Sequence, residues 1–312
     1  MRILIYGAGI LGSFMAHSLI RGGHEVTVLA RGQRAEELKR NGIVIRHVFQ
    51  LKTTKDCVRV IETLMPQDKY DFIFTVMKYN DMPAILPFLA KNESHRIVLI
   101  GNNVDAERME QEILTQSSVP KEVAFGFQLS GGRREKHRML SIRGQAQMVY
   151  GSLSGELGFK PFLEQAFSAT GFRLTDMGED IDAWLKSHII PIIAMNAASR
   201  VHGGKANAVA KDRELLRRMI DAMDEGFRVL EAAGYPAIPE NQTKLARERK
   251  RLAYTLFKMY YTLPIHKLMT GDQTEIDALQ ERFDHWRAAS NIPTPGWDYL
   301  SVSRDITKTP CP

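Results

Sequence analysis

Arg2-Ile3-Leu4-Ile5-Tyr6 is followed directly by Gly7-Ala8-Gly9-Ile10-Leu11-Gly12 and then by the amphipathic stretch Ser13-Phe14-Met15-Ala16-His17-Ser18-Leu19-Ile20-Arg21. A short apolar run, three glycines spaced G-x-G-x-x-G and a helix-length segment read as a strand turning sharply into a helix. Gly7 permits the tight turn, Gly9 lets a pyrophosphate approach the backbone, and Gly12 lets the helix pack closely on the strand. The unpaired N–H groups at the helix start then face the anion. Gly7, Ala8, Gly9, Ile10, Leu11 and Gly12 are therefore candidate dinucleotide contacts. The same stretch can pass for a signal peptide, since Met1 and Arg2 lead into an almost uncharged run. Glycines at this spacing break the continuous apolar helix that such a segment needs, and no other segment approaches the ~20 apolar residues of a membrane span.

Outward from the turn, residues 26–29, 72–76 and 97–100 are short apolar runs bounded by polar residues, which suits strands buried on both faces. They alternate with helical stretches, and this predicts a parallel sheet within the first 178 residues. Arg133, Arg134, Lys136 and Arg138 lead into apolar residues 139–142 and 148–150, a pattern that reads as a hairpin closing that sheet. Beyond Gly178 strand-like alternation gives way to helical periodicity over residues 184–195, 215–233 and 274–290. The expected class is α/β, with an N-terminal Rossmann dinucleotide-binding domain over residues 1–178 and a C-terminal all-helical domain over residues 179–312.

Composition agrees with this outline. A chain of 312 residues with 44% hydrophobic and 25% charged side chains is an ordinary globular composition for about two domains, which excludes disorder. Cys57 and Cys311 lie far apart without C-x-x-C spacing, so neither a zinc site nor a secreted disulfide framework is expected, and a reducing cytoplasm is the natural setting. The net charge of +6 favours an anionic small molecule. Residues 244–251 are strongly basic, but they include Glu248 and wrap round a helix rather than forming one stripe, so no nucleic-acid partner is expected. The apolar runs of the helical domain can support a homodimer.

At the end of the second strand, where an acidic residue would select NAD by bonding the ribose 2′-hydroxyl, the chain reads Ala30-Arg31-Gly32-Gln33-Arg34. Guanidinium groups there offer charge-assisted bonds to a 2′-phosphate, so NADP(H) is the expected cofactor. Lys78 and Asn102 fall just past the carboxyl ends of two further strands, where open α/β sheets bind ligands. In the helical domain, Lys186 shares a helix face with Ile189, Ile190 and Ile193. A lysine so placed either snorkels to solvent or serves as a desolvated proton donor. His188, about 200° round the helix from Lys186, reads as structural, and Pro191 is expected to kink the helix beside the lysine. Asp272 followed by Glu275 opens a last helix, and Glu275 is open to both a capping and a ligand role.

The ordered set of glycine turn, Arg31, Val76-Met77-Lys78, Asn102, Trp184-Leu185-Lys186 and Thr274-Glu275-Ile276-Asp277 resembles the ketopantoate reductase (2-dehydropantoate 2-reductase) family through nearly the whole chain. The resemblance implies a Rossmann domain joined to a helical domain, NADPH and a 2-oxo acid bound between them, no metal, and a place in pantothenate biosynthesis. It makes Lys186 the general acid, Glu275 a holder of substrate and cofactor, Asn102 and Lys78 the lining of the nicotinamide end, and Gly132 a small residue lying against the cofactor. Family members that reduce ketopantoate carry asparagines where this chain has Ile190 and Ala194 and a serine where it has Leu263, so the substrate pocket departs from the family pattern. The competing expectation is a non-catalytic NADP(H)-binding sensor or interaction protein.

Overall fold

The computed structural model describes residues 1–48, 50–130, 132–135, 138–141, 146–263 and 271–306, with side chains as far as residue 301. Lys136, Ile142 and Cys311, each named or spanned above, lie outside the described residues. Two compact units meet in the chain between Asp182 and Ala183, rather than between residues 178 and 179.

The first unit is built on an eight-stranded sheet. Its strands are β1 (Arg2–Tyr6), β2 (Glu25–Leu29), β5 (Arg59–Ile61), β6 (Phe72–Val76), β7 (Arg96–Ile100), β8 (Glu122–Gln128), β11 (Gln147–Gly151) and β12 (Arg173–Asp176), in the order β12-β11-β8-β7-β6-β1-β2-β5. Every residue of β6 is buried, as a central strand covered on both faces requires. Helices α1 (Ile10–Arg21), α2 (Gly32–Asn41), α3 (Leu86–Lys91), α4 (Ala106–Gln116) and α5 (Lys160–Phe167) connect the strands. The chain runs from β1 to β2 and β5 on one side, then returns to β6 and continues through β7 and β8 on the other. Strand β1 pairs in parallel with both β2 and β6, Ile3 facing Val26 and Phe72. The connections thus diverge at the carboxyl ends of β1 and β6, where an open α/β sheet forms its binding crevice.

The arginine-rich hairpin does not close this sheet. Its strands β9 (Gly132–Glu135) and β10 (Arg138–Ser141) join β3 (Ile43–His47) and β4 (Lys52–Asp56) in a separate four-stranded sheet of order β4-β3-β10-β9. Their composition explains the difference. A place beside β8 is covered on both faces, and it goes to the apolar β11, which pairs antiparallel with β8; β9 and β4, rich in Arg and Lys, form the polar edges of the smaller sheet. That sheet is tied to α1 by a buried polar cluster. His17 Nδ1 lies 2.5 Å from Asp56 Oδ2, Arg21 Nε donates to Asp56 Oδ1 at 2.9 Å, and the His17 and His47 rings are 5.3 Å apart.

The second unit contains all but the first two residues of α6 (Ile181–Val201), with α7 (Ala206–Lys211), α8 (Arg213–Ala232), α9 (Glu240–Arg247), α10 (Lys250–Thr262), α11 (Gln273–Ala289) and α12 (Pro295–Ile306). Asp212 caps α8 by accepting from the Leu215 amide. Leu216, Met219, Ile220, Met223, Phe227 and Leu230 then line its buried face at helical spacing. Trp297 packs against Phe283 with ring centroids 4.6 Å apart, and the Glu225 carboxylate accepts the Gly296 amide at the start of α12. None of the described helices is long and apolar enough to cross a membrane.

Candidate active site

The glycine turn sits at the sheet's switch point, and two of its glycines are required by close approach. A Cβ on Gly7 (φ 127°) would lie 2.3 Å from the Val76 carbonyl oxygen, and one on Gly12 would lie 2.0 Å from the Gly7 carbonyl oxygen. Strand, turn and helix are thereby pressed into one packed corner. Gly9 faces open space. It is also the N-cap of α1, with no side-chain cap, and there is no acid in the first turn. Helix-start amides left uncapped beside free space suit a pyrophosphate, whose charge the helix dipole favours.

The loops beyond β6 and β7 lie against this corner. Met77 donates its amide to Ile100, and a Cβ on Gly101 would come within 2.5 Å of the Met77 carbonyl oxygen. Lys78 and Asn102 follow directly and are both half-buried. Fully buried Asn103 fixes the second loop by donating to the Leu99 carbonyl, and Tyr79 joins the two loops through a 2.6 Å bond to Asp105. Gly132 begins β9 within reach of the same corner, since a Cβ there would lie 3.3 Å from the Ile10 side chain.

The two arginines after β2 differ in their surroundings. Arg31 is the exposed N-cap of α2 and makes no ion pair among the described residues. Arg34 points inward, where Nε donates to the Ala8 carbonyl at 3.0 Å, one terminal nitrogen donates to Ser13 Oγ at 2.9 Å, and the other pairs with Glu37 at 2.8 Å. Burial lowers its pKa from the usual arginine value and the Glu37 bond opposes that shift. A third guanidinium reaches the same carbonyl from the second sheet, with Arg134 donating to Ala8 at 3.4 Å. In sequence Arg134 is one cation of a charged hairpin; what brings it to the turn is long-range strand pairing, which no local pattern carries.

In the helical unit, α6 runs through Pro191 without interruption. Lys186 is only 3% exposed although it is a cation, and Ile189, Ile190 and Ile193 beside it are buried. Its ammonium lies 4.3 Å from the centroid of the Tyr235 ring, a cation–π distance. The loop carrying Tyr235 is held to α6 by the Ile238 amide donating to Ser187 Oγ at 3.1 Å. His188 stacks on Trp184, its ring centroid 4.7 Å away, and burial pushes its pKa down to about 4. Asp272 caps α11 by accepting the Thr274 amide, and Glu275 stands in the first helical turn. Of the three positions that depart from the family pocket, Ile190 and Ala194 are fully covered, whereas Leu263 is exposed after α10. Tyr235 gave no sequence signal, because it sits in the aperiodic Gly234-Tyr235-Pro236 loop.

A parallel sheet with an uncapped glycine turn at its switch point defines a dinucleotide-binding protein of the Rossmann class. The family described as ketopantoate reductase PanE/ApbA matches residues 3–155. A 2-dehydropantoate 2-reductase from Pyrococcus horikoshii is 22% identical over 299 residues, covering 95% of this chain and 93% of its own. A PanE/ApbA family ketopantoate reductase from Ralstonia eutropha superposes with a TM-score of 0.77 at 20% identity over 98% of both chains. A D-mandelate dehydrogenase, solved with NADH and anilino(oxo)acetate, superposes with a TM-score of 0.75 at 16% identity, covering 97% of this chain and 96% of that one. Over residues 3–155 the chain matches the ketopantoate reductase family, and along nearly its whole length it is similar to proteins named 2-dehydropantoate 2-reductase.

Proposed function

We propose that the protein reduces a 2-oxo acid to the 2-hydroxy acid with NADPH. The observation that carries this reading is Lys186, a lysine shielded from water on a helix face it shares with Ile189, Ile190 and Ile193, a placement that suits a general acid. The reading assigns the pyrophosphate to the turn of Gly7, Gly9 and Gly12 and the 2′-phosphate to the arginines after β2. Lys78 and Asn102 line the nicotinamide end, Gly132 lies against the cofactor, and Glu275 helps to hold substrate and cofactor. Bound NADPH supplies the hydride that adds to the C2 carbonyl carbon. Lys186 Nζ gives its proton to the carbonyl oxygen as negative charge develops there, so the C–H and O–H bonds of the product form while the carbonyl π bond is lost. Tyr235 covers the ammonium with an aromatic face and holds it beside a partly apolar surface.

The substrate we propose has an aliphatic or aromatic tail. Ile190, Ala194 and Leu263 neither donate nor accept hydrogen bonds through their side chains, and Ile190 and Ala194 are packed away while Leu263 is exposed, so none of the three supplies a partner for a substrate hydroxyl. Tyr235 adds an apolar face next to Lys186. The test is NADPH oxidation over a panel of 2-oxo acids, with kcat/KM compared for ketopantoate and 2-oxoisovalerate, which lacks the C4 hydroxyl. The expected result is turnover of the panel with 2-oxoisovalerate preferred. A preference for ketopantoate above about tenfold, ~1.4 kcal/mol, would show that the hydroxyl is still read. NADPH binding without oxidation of any member would favour the non-catalytic sensor instead.

A further inference from the structure

Arg34 and Arg134 both reach the Ala8 carbonyl in the glycine turn, Arg31 is close enough to Tyr6, just before the turn, to act on it electrostatically, and the counter-charges of the three differ. Arg34 is matched by Glu37, and its other donors are engaged by Ala8 and Ser13. On the second sheet, Arg133 and Arg138 both pair with Glu135, but Arg134, on the opposite pleat of β9 from Arg133, makes no ion pair among the described residues. It is exposed and sits close enough to Arg34 to repel it. Arg31 is likewise exposed and without an ion pair among the described residues. Two uncompensated positive charges therefore flank a turn whose helix end also favours an anion. A phosphate monoester carries about −1.5 to −2 at neutral pH, which is the charge this arrangement lacks.

We infer that Arg134, brought to the turn by the second sheet, acts with Arg31 as the pair of cations that reads the 2′-phosphate of NADP(H), while Arg34 is a positioning residue that holds the turn. The inference rests on the cofactor reading above and narrows it, because two arginines of one short segment are replaced by a pair more than a hundred residues apart. A planar guanidinium can hold two phosphate oxygens at once, and β9 brings Arg134 to Ala8 from the second sheet whereas Arg31 follows β2 of the first.

Direct titration of the full-length protein tests this without turnover. The probes are NADPH, NADH and 2′,5′-ADP, and the variants are Arg134→Ala, Arg134→Lys, Arg31→Ala and Arg34→Ala, each checked for an unchanged unfolding transition. Loss of one charge-assisted contact corresponds to roughly tenfold in Kd. Arg134→Ala is expected to weaken NADPH and 2′,5′-ADP by about that factor with NADH changed less than about twofold, and Arg134→Lys to recover part of the loss. Arg34→Ala is expected to weaken NADPH and NADH alike, because the turn serves both. Equal weakening of the two dinucleotides by Arg134→Ala would overturn the assignment, and so would no weakening at all. If the unmodified protein bound neither dinucleotide, the proposed function itself would fall, an outcome separable from failure of the arginine variants.

Discussion

Arg31 and Arg34 are indistinguishable in sequence, two guanidiniums three positions apart after one strand, yet one is exposed and the other is held by Ala8, Ser13 and Glu37. What separates them is place rather than residue type: Arg34, in the first turn of α2, reaches the Ala8 carbonyl and Ser13 of α1, whereas Arg31 stands outside the helix as its N-cap. Lys186 is the opposite case. Its apolar neighbours at helical spacing are visible in the sequence and remain buried in the structure, so its unusual surroundings could be inferred before any fold was known. Replacing Lys186 by Met keeps the length of the stem and removes the proton. On the proposed function, kcat should fall by roughly 10² to 10⁴, the usual worth of a general acid, with the Kd for NADPH unchanged because the glycine turn lies elsewhere in the chain. Stopped-flow reduction and fluorescence titration measure the two quantities separately, and near-normal turnover would return Lys186 to a structural role.

Among the elements, the central strands were legible because burial on both faces leaves continuous apolar runs, as in the wholly buried β6. Strands β3 and β4 were not. Lys52-Thr53-Thr54-Lys55-Asp56 buries only Thr54 and Asp56, and a polar ribbon of this kind looks like a loop until its partner is known. The strand-turn-helix corner gives a sharp expectation: Gly12→Ala forces a methyl against the Gly7 carbonyl 2.0 Å from the ideal position, so the helix must move off the strand. The first unit should lose ~2 kcal/mol or more, as overpacked sites do, and dinucleotide affinity should fall with it; denaturant unfolding and titration check the two together. Helix α6 supplies a pH dependence. His188 is held at about 4, below the ~6.5 of an unfolded chain, so the native state binds fewer protons. Its contribution is therefore complete above pH ~6.5 and is lost as pH falls toward 4, by on the order of 2 kcal/mol once its partial exposure is allowed for. His188→Phe, which keeps a ring to stack on Trp184, should flatten that part of the stability profile. An unchanged profile would mean that carboxylates account for all of it.

For the molecule as a whole, the division between Asp182 and Ala183 separates the glycine turn from Lys186, with the first residues of α6 in one unit and the rest in the other. Calorimetry should accordingly resolve two transitions. Saturation with NADPH at about 100 times Kd should raise the first by ~2.7 kcal/mol of linkage energy and the second by less; a single transition moving as one would show that the units unfold together. The four-stranded sheet also bears on how the protein is made. Its β3 pairs in parallel with β10, Ile45 against Met139, across about half the length of the first unit. A ribosome emits Gly7 to Arg34 early, but it needs on the order of 5 to 20 seconds more to reach Ser141 at ordinary elongation rates. Until then Ile43 to His47 has no strand on that side, and Arg134 has not been synthesised. A nascent chain stalled before residue 132 would thus already carry the turn to which the proposed function assigns the pyrophosphate while lacking Arg134, so that, on the inference above, discrimination between NADPH and NADH would be completed late in the synthesis of this unit.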